Sequence, residues 1–362
     1  MKNIFITGST GFLGWDIARN LLDNTDSNVY LLVRGKADRS GSKRILDLLE
    51  RSYPEQKRMS IVNRIEVLEG DVTGINLGLK KDKYDSLTKE IDVIYHSAAL
   101  CEFGIELPII KKINVDGTKN MLDFALLCGK NGQFISFQYV STVGIAGKTG
   151  GVFYENSLDI GQEFNNTYER TKFEAEKLIE SYRKKGLSIS VYRPSIITGD
   201  SKTGEASNFQ MLYQPLHFFS LGIFDKIPVN REMKYNLVPV DCVAKAIYLI
   251  STNEDNNKNY HVTNPNPIDI DFLLNAASEY FGFKKPKLVS EKEFDYELLR
   301  GFGRKLIDPY LPYFNHKALT FDNTNFNKAI EGKGFKWPVI NEAILKRLFK
   351  YCADVDYIKR KI

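Results

Sequence analysis

Tyr168 and Lys172, in the phrase Tyr168-Glu-Arg-Thr-Lys172, stand four residues apart, so on a helix they share one side. A lysine beside a phenol favours the phenolate and lowers the tyrosine pKa, as a proton donor at neutral pH requires. Upstream, the run Tyr139-Val-Ser-Thr142 can bring a second hydroxyl, from Thr142 or Ser141, to the end of a strand. Alone, a Y-x-x-x-K spacing is common by chance and reads as a surface pair. The opening residues, MKNIFITGSTGFLG, change that reading. Ile4, Phe5 and Ile6 form an apolar run suited to a buried strand. Gly8, Gly11 and Gly14 follow three apart, and Phe12, Leu13, Ile17, Ala18, Leu21 and Leu22 then recur at helical spacing. Strand, glycine turn and helix make a phosphate cradle, where bare backbone and the positive helix end meet a pyrophosphate. The glycine string departs from G-x-G-x-x-G and by itself would be only a turn; its place between strand and helix points to a nucleotide.

These groups need a scaffold, and β and α signals alternate to supply one. Val29 to Val33 is a second apolar run, ending in Arg34. Ile65 to Leu68 is a third, closing on Gly70-Asp71-Val72, and Asp92 to Tyr95 a fourth, leading into His96-Ser97-Ala98-Ala99. Phe134 to Val140 and Leu187 to Tyr192 are a fifth and a sixth. Residues 42–59 read as basic and partly helical. A helix is expected over 106–128, with Ile113, Met121, Leu122, Ala125 and Leu126 on its buried face. Asn166 and Glu169 are spaced as a capping box, which starts the helix carrying Tyr168 and Lys172. This alternation predicts an α/β, Rossmann-like doubly wound parallel sheet, with ligands at the carboxyl ends of its strands. From about residue 200 the rhythm breaks into an aromatic-rich stretch, 201–235. It returns in 236–263 as a helix around 241–251 and a strand, Tyr260 to Val262. Residues 264–362 hold helices and proline-punctuated loops. The expected division is a nucleotide-binding domain of 1–200 plus 236–263, and a smaller, mostly helical C-terminal substrate lobe of 201–235 plus 264–362.

Composition narrows the function classes. A net charge of +5 over 362 residues fits a phosphorylated ligand or an acidic carrier. No basic-aromatic tract or zinc spacing supports nucleic-acid binding, so no such partner is expected. Cys101, Cys128, Cys242 and Cys352 lie far apart, which reads as incidental reduced thiols in a cytoplasmic protein. His96, His217, His261 and His316 are equally scattered, and no metal site is expected. Neither a signal peptide nor an 18-residue apolar run is visible, so the expectation is a soluble chain without a membrane span.

TGSTGFLG, YVSTVGIAG and YERTK together resemble the extended short-chain dehydrogenase/reductases. LLVRGK, GDVTGINLGL, DVIYHSAAL, INVDGTKNML and YRPSIITGDSKTG are similar to the thioester reductases among them. These are the reductase domains of carboxylic acid reductases and peptide synthetases, related to fatty acyl-CoA reductases. The ending, FDNTNFNKAIEGKGFKWPVINEAILKRLFKYC, carries the same resemblance. It implies a nicotinamide dinucleotide and a catalytic triad of Thr142, Tyr168 and Lys172, with Thr142 matching the hydroxyl better than Ser141. It places Gly8, Gly11 and Gly14 at the pyrophosphate, with Thr10, Phe12 and Leu13 among the cofactor contacts. Asp71 and Val72 would border the adenine, and Ser97, Ala98 and Ala99 the nucleotide's middle. Pro194, Ile197 and Thr198 would line the nicotinamide, with Tyr168 and Lys172 also touching the cofactor. Asn114 matches an asparagine that holds the active-site helix or a water near the lysine; a buried structural amide is its other reading. No adenylation or carrier domain is visible ahead of the reductase, so any acyl- or peptidyl-carrier protein is expected to be a separate molecule.

Arg34 stands where an NAD enzyme offers a carboxylate to the ribose, and a guanidinium there can fork onto a 2′-phosphate. Arg44 sits where the relatives show a second arginine, and Lys36 is a weaker third candidate. NADPH (NADP) is therefore the preferred cofactor, with NAD still possible. The expected reaction is hydride delivery to an acyl thioester, giving an aldehyde; a second hydride could carry that to the alcohol, a step the sequence does not decide. The aromatic side chains of 208–224 read either as an acyl tunnel or as the lobe's own core. Lysines and arginines in 283–305 read either as a docking face for an acidic carrier or coenzyme A, or as a solvated surface. Two alternatives stay open. One is a sugar-nucleotide epimerase/dehydratase or ketone/hydroxysteroid-type reductase of the same fold; the other is a non-catalytic dinucleotide sensor.

Overall fold

The computed structural model describes residues 1–35, 38–253, 257–295, 307–315 and 317–361. Seven apolar runs become strands: β1 (Asn3–Thr7), β2 (Asn28–Val33), β3 (Ile65–Glu69), β4 (Val93–His96), β5 (Ser136–Val140), β6 (Ile189–Pro194) and β7 (Asn259–Val262). They form one parallel sheet in the order β7-β6-β5-β4-β1-β2-β3. Winding runs outward from β1 to β3, then restarts beside β1 with β4. That reversal opens a crevice at the carboxyl ends of β1 and β4, where a doubly wound sheet takes its ligand.

Side-chain alternation puts Ile4 and Ile6 on one face of β1 and Phe5 on the other. On the first face they pack with α1 (Phe12–Asn24), α2 (Gly41–Ser52) and, from late in the chain, the helix Val240–Ser251. On the second, Phe5, Ile94 and Phe137 pack with the helices Lys81–Glu90, Gly117–Asn131 and Thr167–Arg183. The expected helix over 106–128 is divided. Leu107–Lys111 is followed by a π-helical turn, Lys112–Asp116, and only then by Gly117–Asn131.

A second core belongs to the lobe, built on the helices Tyr213–Ser220, Ile270–Phe281 and Glu342–Asp354. The expected lobe boundaries need one correction. Strand Leu319–Phe321 pairs with Gly151–Phe153, and Phe326, Phe335 and Trp337 join the core on the sheet. Part of 264–362 therefore packs on the nucleotide-binding domain. Its aromatic side chains match the sheet's apolar face as well as the lobe's, so composition alone does not assign them. Among the described residues no helix is long and apolar enough to cross a membrane.

Candidate active site

The glycine turn is shaped by two close approaches. Gly8 has φ +74°, and a Cβ there would stand 2.6 Å from the backbone of Ser97 and Ala98. A Cβ on Gly14 would stand 2.1 Å from the Gly8 carbonyl oxygen. Only glycine lets β1, β4 and α1 converge so tightly. Gly11 differs: it is exposed, and a Cβ there would meet only Gly8 O, at 3.1 Å. It is the N-cap of α1 and no side chain caps the helix end. Bare backbone and a helix N-terminus thus face the crevice, which fits a dinucleotide's pyrophosphate.

At the carboxyl end of β2 the two expected arginines come together. Arg44 donates from Nη1 to the Arg34 carbonyl at 2.8 Å and from Nη2 to Thr10 Oγ1 at 2.7 Å. Burial and the charges of Arg34 and Arg39 push the Arg44 guanidinium below its ordinary pKa. Arg34 is exposed, 3.7 Å from Asp71 Oδ2. Asp71 Oδ1 accepts from Thr73 N and Oγ1, both at 2.8 Å, and Val72 is buried at the end of β3. Lys36 lies outside the described residues. A cationic pair beside an open turn suits a phosphate monoester.

Gly8, Gly11, Phe12, Leu13, Gly14, Ser97, Ala99, Thr142, Tyr168, Lys172, Pro194 and Ile197 line one crevice of about 470 Å³. Thr10, Arg34, Arg44, Asp71, Val72 and Ala98, expected at the cofactor, are not among its lining residues. Thr198 does not reach it: its side chain is fully buried, with its hydroxyl 3.4 Å from Gly199 O. In the strand Ile196–Thr198, which pairs with Leu237–Pro239, Ile196 and Ile197 line the wall and Thr198 does not.

The helix Thr167–Arg183 starts as its sequence predicts, with Asn166 Oδ1 accepting from Glu169 N at 2.9 Å. Glu169 closes the box one residue early, onto Asn165 N at 2.8 Å. Lys172 is buried and donates from Nζ to the Val140 carbonyl at 2.7 Å, with the Tyr139 ring 4.2 Å away. Burial lowers its pKa to about 8, opposed by Cys101 and Glu176. Tyr168 stands half-buried in the crevice wall. Its pKa is raised well above the usual tyrosine value, first by burial and then by Cys101, while a hydrogen bond from Thr142 opposes the rise. This corrects the expectation that the lysine makes the phenol acidic. In the structure the ammonium is held by Val140 O, and burial dominates.

Thr142 and Ser141 part company. Ser141 is buried and its hydroxyl donates to Glu176 Oε1, inside a network where Arg193 Nη2 meets Glu176 Oε2 at 2.7 Å. Thr142 Oγ1 accepts from Gly144 N at 3.0 Å, and the side chain lines the crevice with Tyr168. Asn114, in the π-helical turn, accepts from Leu100 N at 2.7 Å and donates to Leu100 O at 3.0 Å and Thr171 Oγ1 at 3.1 Å. It therefore fixes the loop after β4 against the active-site helix. That tie bends the chain into the π turn, a local form that recurs at functional sites. His96 sits between Thr7 and Thr118, its pKa lowered to about 3 by burial and by Lys172, and is a neutral structural residue.

Sequence reasoning missed three neighbours. Cys101 lines the crevice with Tyr168, and burial raises the pKa of its thiol. Tyr313, from the lobe, donates to Glu169 Oε1 at 2.5 Å and accepts from Asn166 Nδ2 at 2.7 Å. Phe103 stacks on Tyr313 at 5.5 Å and stands 6.3 Å from the Tyr168 ring. None carries a motif; an aromatic or cysteine after β4 could have been found only by noting that loop's place at the sheet's carboxyl edge. In the aromatic stretch 208–224, only Met211 of the expected tunnel residues lines the crevice, and most of the others fill the lobe core. Lys284 and Lys285 pair with Asp225 and Asp271, and residues 296–305 of the expected basic face lie outside the described residues.

A family model described as male sterility protein matches residues 6–247. The chain belongs to that family. It is an NAD(P)-dependent oxidoreductase of the extended short-chain dehydrogenase/reductase type that its motifs resemble. It is 31% identical over 298 residues to a linear gramicidin synthase of Brevibacillus parabrevis, covering 79% of this chain and 6% of that protein. The chain thus spans a small part of that relative. The terminal R domain from the myxalamid PKS-NRPS biosynthetic pathway superposes with a TM-score of 0.82 at 25% identity, covering 100% of this chain and 93% of that one. A thiolation-reductase di-domain from an archaeal non-ribosomal peptide synthetase shares the fold, with a TM-score of 0.81 at 23% identity over 99% of this chain and 76% of that one.

Proposed function

We propose that this protein uses NADPH to reduce an acyl thioester to an aldehyde. One observation carries the reading: Thr142, Tyr168 and Lys172 line one crevice that opens onto the glycine turn. Bound NADPH supplies the hydride. Gly11 and the N-terminus of α1 hold its pyrophosphate, and Arg44 with Arg34 takes the 2′-phosphate. Thr142 and Tyr168 donate to the thioester carbonyl oxygen as it gains charge, each worth about 3 kcal/mol. Tyr168 gives up its proton there, and Lys172 offsets the phenolate left behind. The tetrahedral hemithioacetal then expels a thiol and leaves the aldehyde. The relatives named as a gramicidin synthase, an R domain and a thiolation-reductase di-domain favour a carrier-bound thioester over a free ketone. The arginine pair argues against an epimerase that retains NAD.

The deciding experiment follows NADPH and, in parallel, NADH consumption against a panel of acyl-CoA and acyl-carrier thioesters, with products identified by mass. Aldehyde formed as NADPH is oxidised is expected. Cofactor binding with no turnover of any thioester would leave a sensor as the better description, and a clear preference for NADH would remove the role given to the arginines.

A further inference from the structure

Beside the crevice, the lobe holds a second, smaller cavity of about 30 Å³ whose walls are almost wholly apolar. Its far side is made by Leu216, Phe219, Leu273, Leu274 and Phe314. Empty apolar cavities stay dry, and larger ones of this character accept hydrocarbon. Three side chains, Ile196, Met211 and Tyr313, belong to both walls and so separate the two spaces. Two of the three are fixed. Ile196 is β-branched and lies in a paired strand, and the Tyr313 hydroxyl is tied to Glu169 and Asn166. Met211 has three rotatable side-chain bonds and the soft, adaptable shape of a gap-filler. Its backbone is also held at φ +47°, a left-handed conformation that non-glycine residues rarely adopt and that tends to occur where function requires it.

We propose that this cavity receives the far end of an apolar acyl chain, and that Met211 is the movable wall that admits it. The inference rests on the thioester reading and adds the substrate's chemistry: an unbranched or lightly branched hydrocarbon tail without a terminal charge. With the carbonyl at Thr142 and Tyr168, the tail runs along Ile196 toward Met211, and rotation of the methionine side chain joins the two spaces. At about 30 Å³ the cavity is small, so it terminates a chain and sets a length limit. The hydroxyls of its three tyrosines, Tyr235, Tyr310 and Tyr313, are donated to Tyr313 O, Gln214 and Glu169, so none is left to donate to a tail that ends in a carboxylate or an amide.

The test is a chain-length profile of kcat/KM with NADPH and unbranched acyl-CoA thioesters. For the wild type, kcat/KM is expected to rise about fourfold per added methylene, as burial of one such group gives, and then to fall beyond one length. Met211→Gly removes the wall and accepts the left-handed backbone without strain, so its optimum should move to longer chains. Leu274→Phe fills the cavity from behind and should move the optimum to shorter ones. NADPH binding and the thermal midpoint identify a variant that has misfolded, in which case the other variant decides. A flat wild-type profile, a preference for carboxylate-ended acyl groups of equal length, or an optimum unmoved in folded variants would overturn the proposal while leaving thioester reduction intact. A wild type that turns over no thioester of any length takes both down together.

Discussion

In the proposed reaction, Tyr168 donates a proton while Lys172 carries the charge that stabilises what remains. Its own pKa lies well above the usual value, so the phenol stays protonated through the working range. Lys172, at about 8, is the group that titrates. Below about pH 8 the ammonium is present; as the pH rises through 8 it is lost, and kcat/KM for reduction should fall. The same group gives the opposite sign for stability. Unfolded, the lysine keeps its proton to about 10.5, so between about 8 and 10.5 the unfolded chain binds more protons and stability from this residue rises with pH. Rate falling while this contribution to stability rises is the pattern to look for in paired rate and unfolding profiles, with Lys172→Met removing both effects. Tyr168→Phe should lower kcat by about 10²- to 10⁴-fold and leave the NADPH dissociation constant, read by fluorescence titration, nearly unchanged. Arg44→Ala removes two hydrogen bonds and a cation from the place proposed for the 2′-phosphate. A charge-assisted bond contributes about 1.5–3 kcal/mol, so KM for NADPH should rise about 10- to 100-fold while KM for NADH moves little.

Among the elements, the glycine turn separates folding from binding. Gly14→Ala would drive a Cβ to 2.1 Å from the Gly8 carbonyl, a backbone atom that cannot swing away. Helix α1 must then shift off the turn, at a cost of about 1–3 kcal/mol as for other overpacked sites, visible in denaturant unfolding without cofactor. Gly11→Ala meets only a 3.1 Å contact and opens toward the crevice, so it should leave the unfolding midpoint near wild type and weaken NADPH binding. Such elements were legible because each is encoded locally. A parallel strand is an apolar run of four to six residues, as Val29 to Val33 is, and Asn166 with Glu169 marks a helix start within four residues. The π-helical turn at Lys112–Asp116 was not legible, because it follows from Asn114 holding Leu100 rather than from the apolar spacing of its own segment. Tyr168's high pKa escaped the sequence for the same reason: four-residue spacing gives proximity to Lys172, but not the Val140 carbonyl that accepts the lysine's hydrogen bond.

Across the whole molecule, the lobe and the sheet meet at the start of the active-site helix. Tyr313 crosses 144 residues of sequence to reach Glu169, and its ring lies flat on Phe103 with an interplanar angle of 4°. Contacts of that span leave no local trace, which is why neither Tyr313 nor the return of 319–337 to the sheet could be read from spacing. The clasp joins the wall that would hold the acyl tail to Asn166 and Glu169, the residues on either side of Thr167 and Tyr168, so substrate binding in the lobe and proton donation share one support. Tyr313→Phe keeps the stacked ring and removes only the hydroxyl. Glu169 then loses one donor but retains Asn165 N and Nδ2, and Asn166 loses its acceptor. Loss of such a bond between buried polar groups costs about 1–3 kcal/mol, and it should appear where the two bodies touch. The expected result is a rise of about 5- to 150-fold in KM for the thioester, with a smaller change in kcat and an unaltered NADPH dissociation constant, because the glycine turn and arginine pair lie on the sheet alone. Equal losses in cofactor and thioester binding would show instead that the hydroxyl supports the fold as a whole.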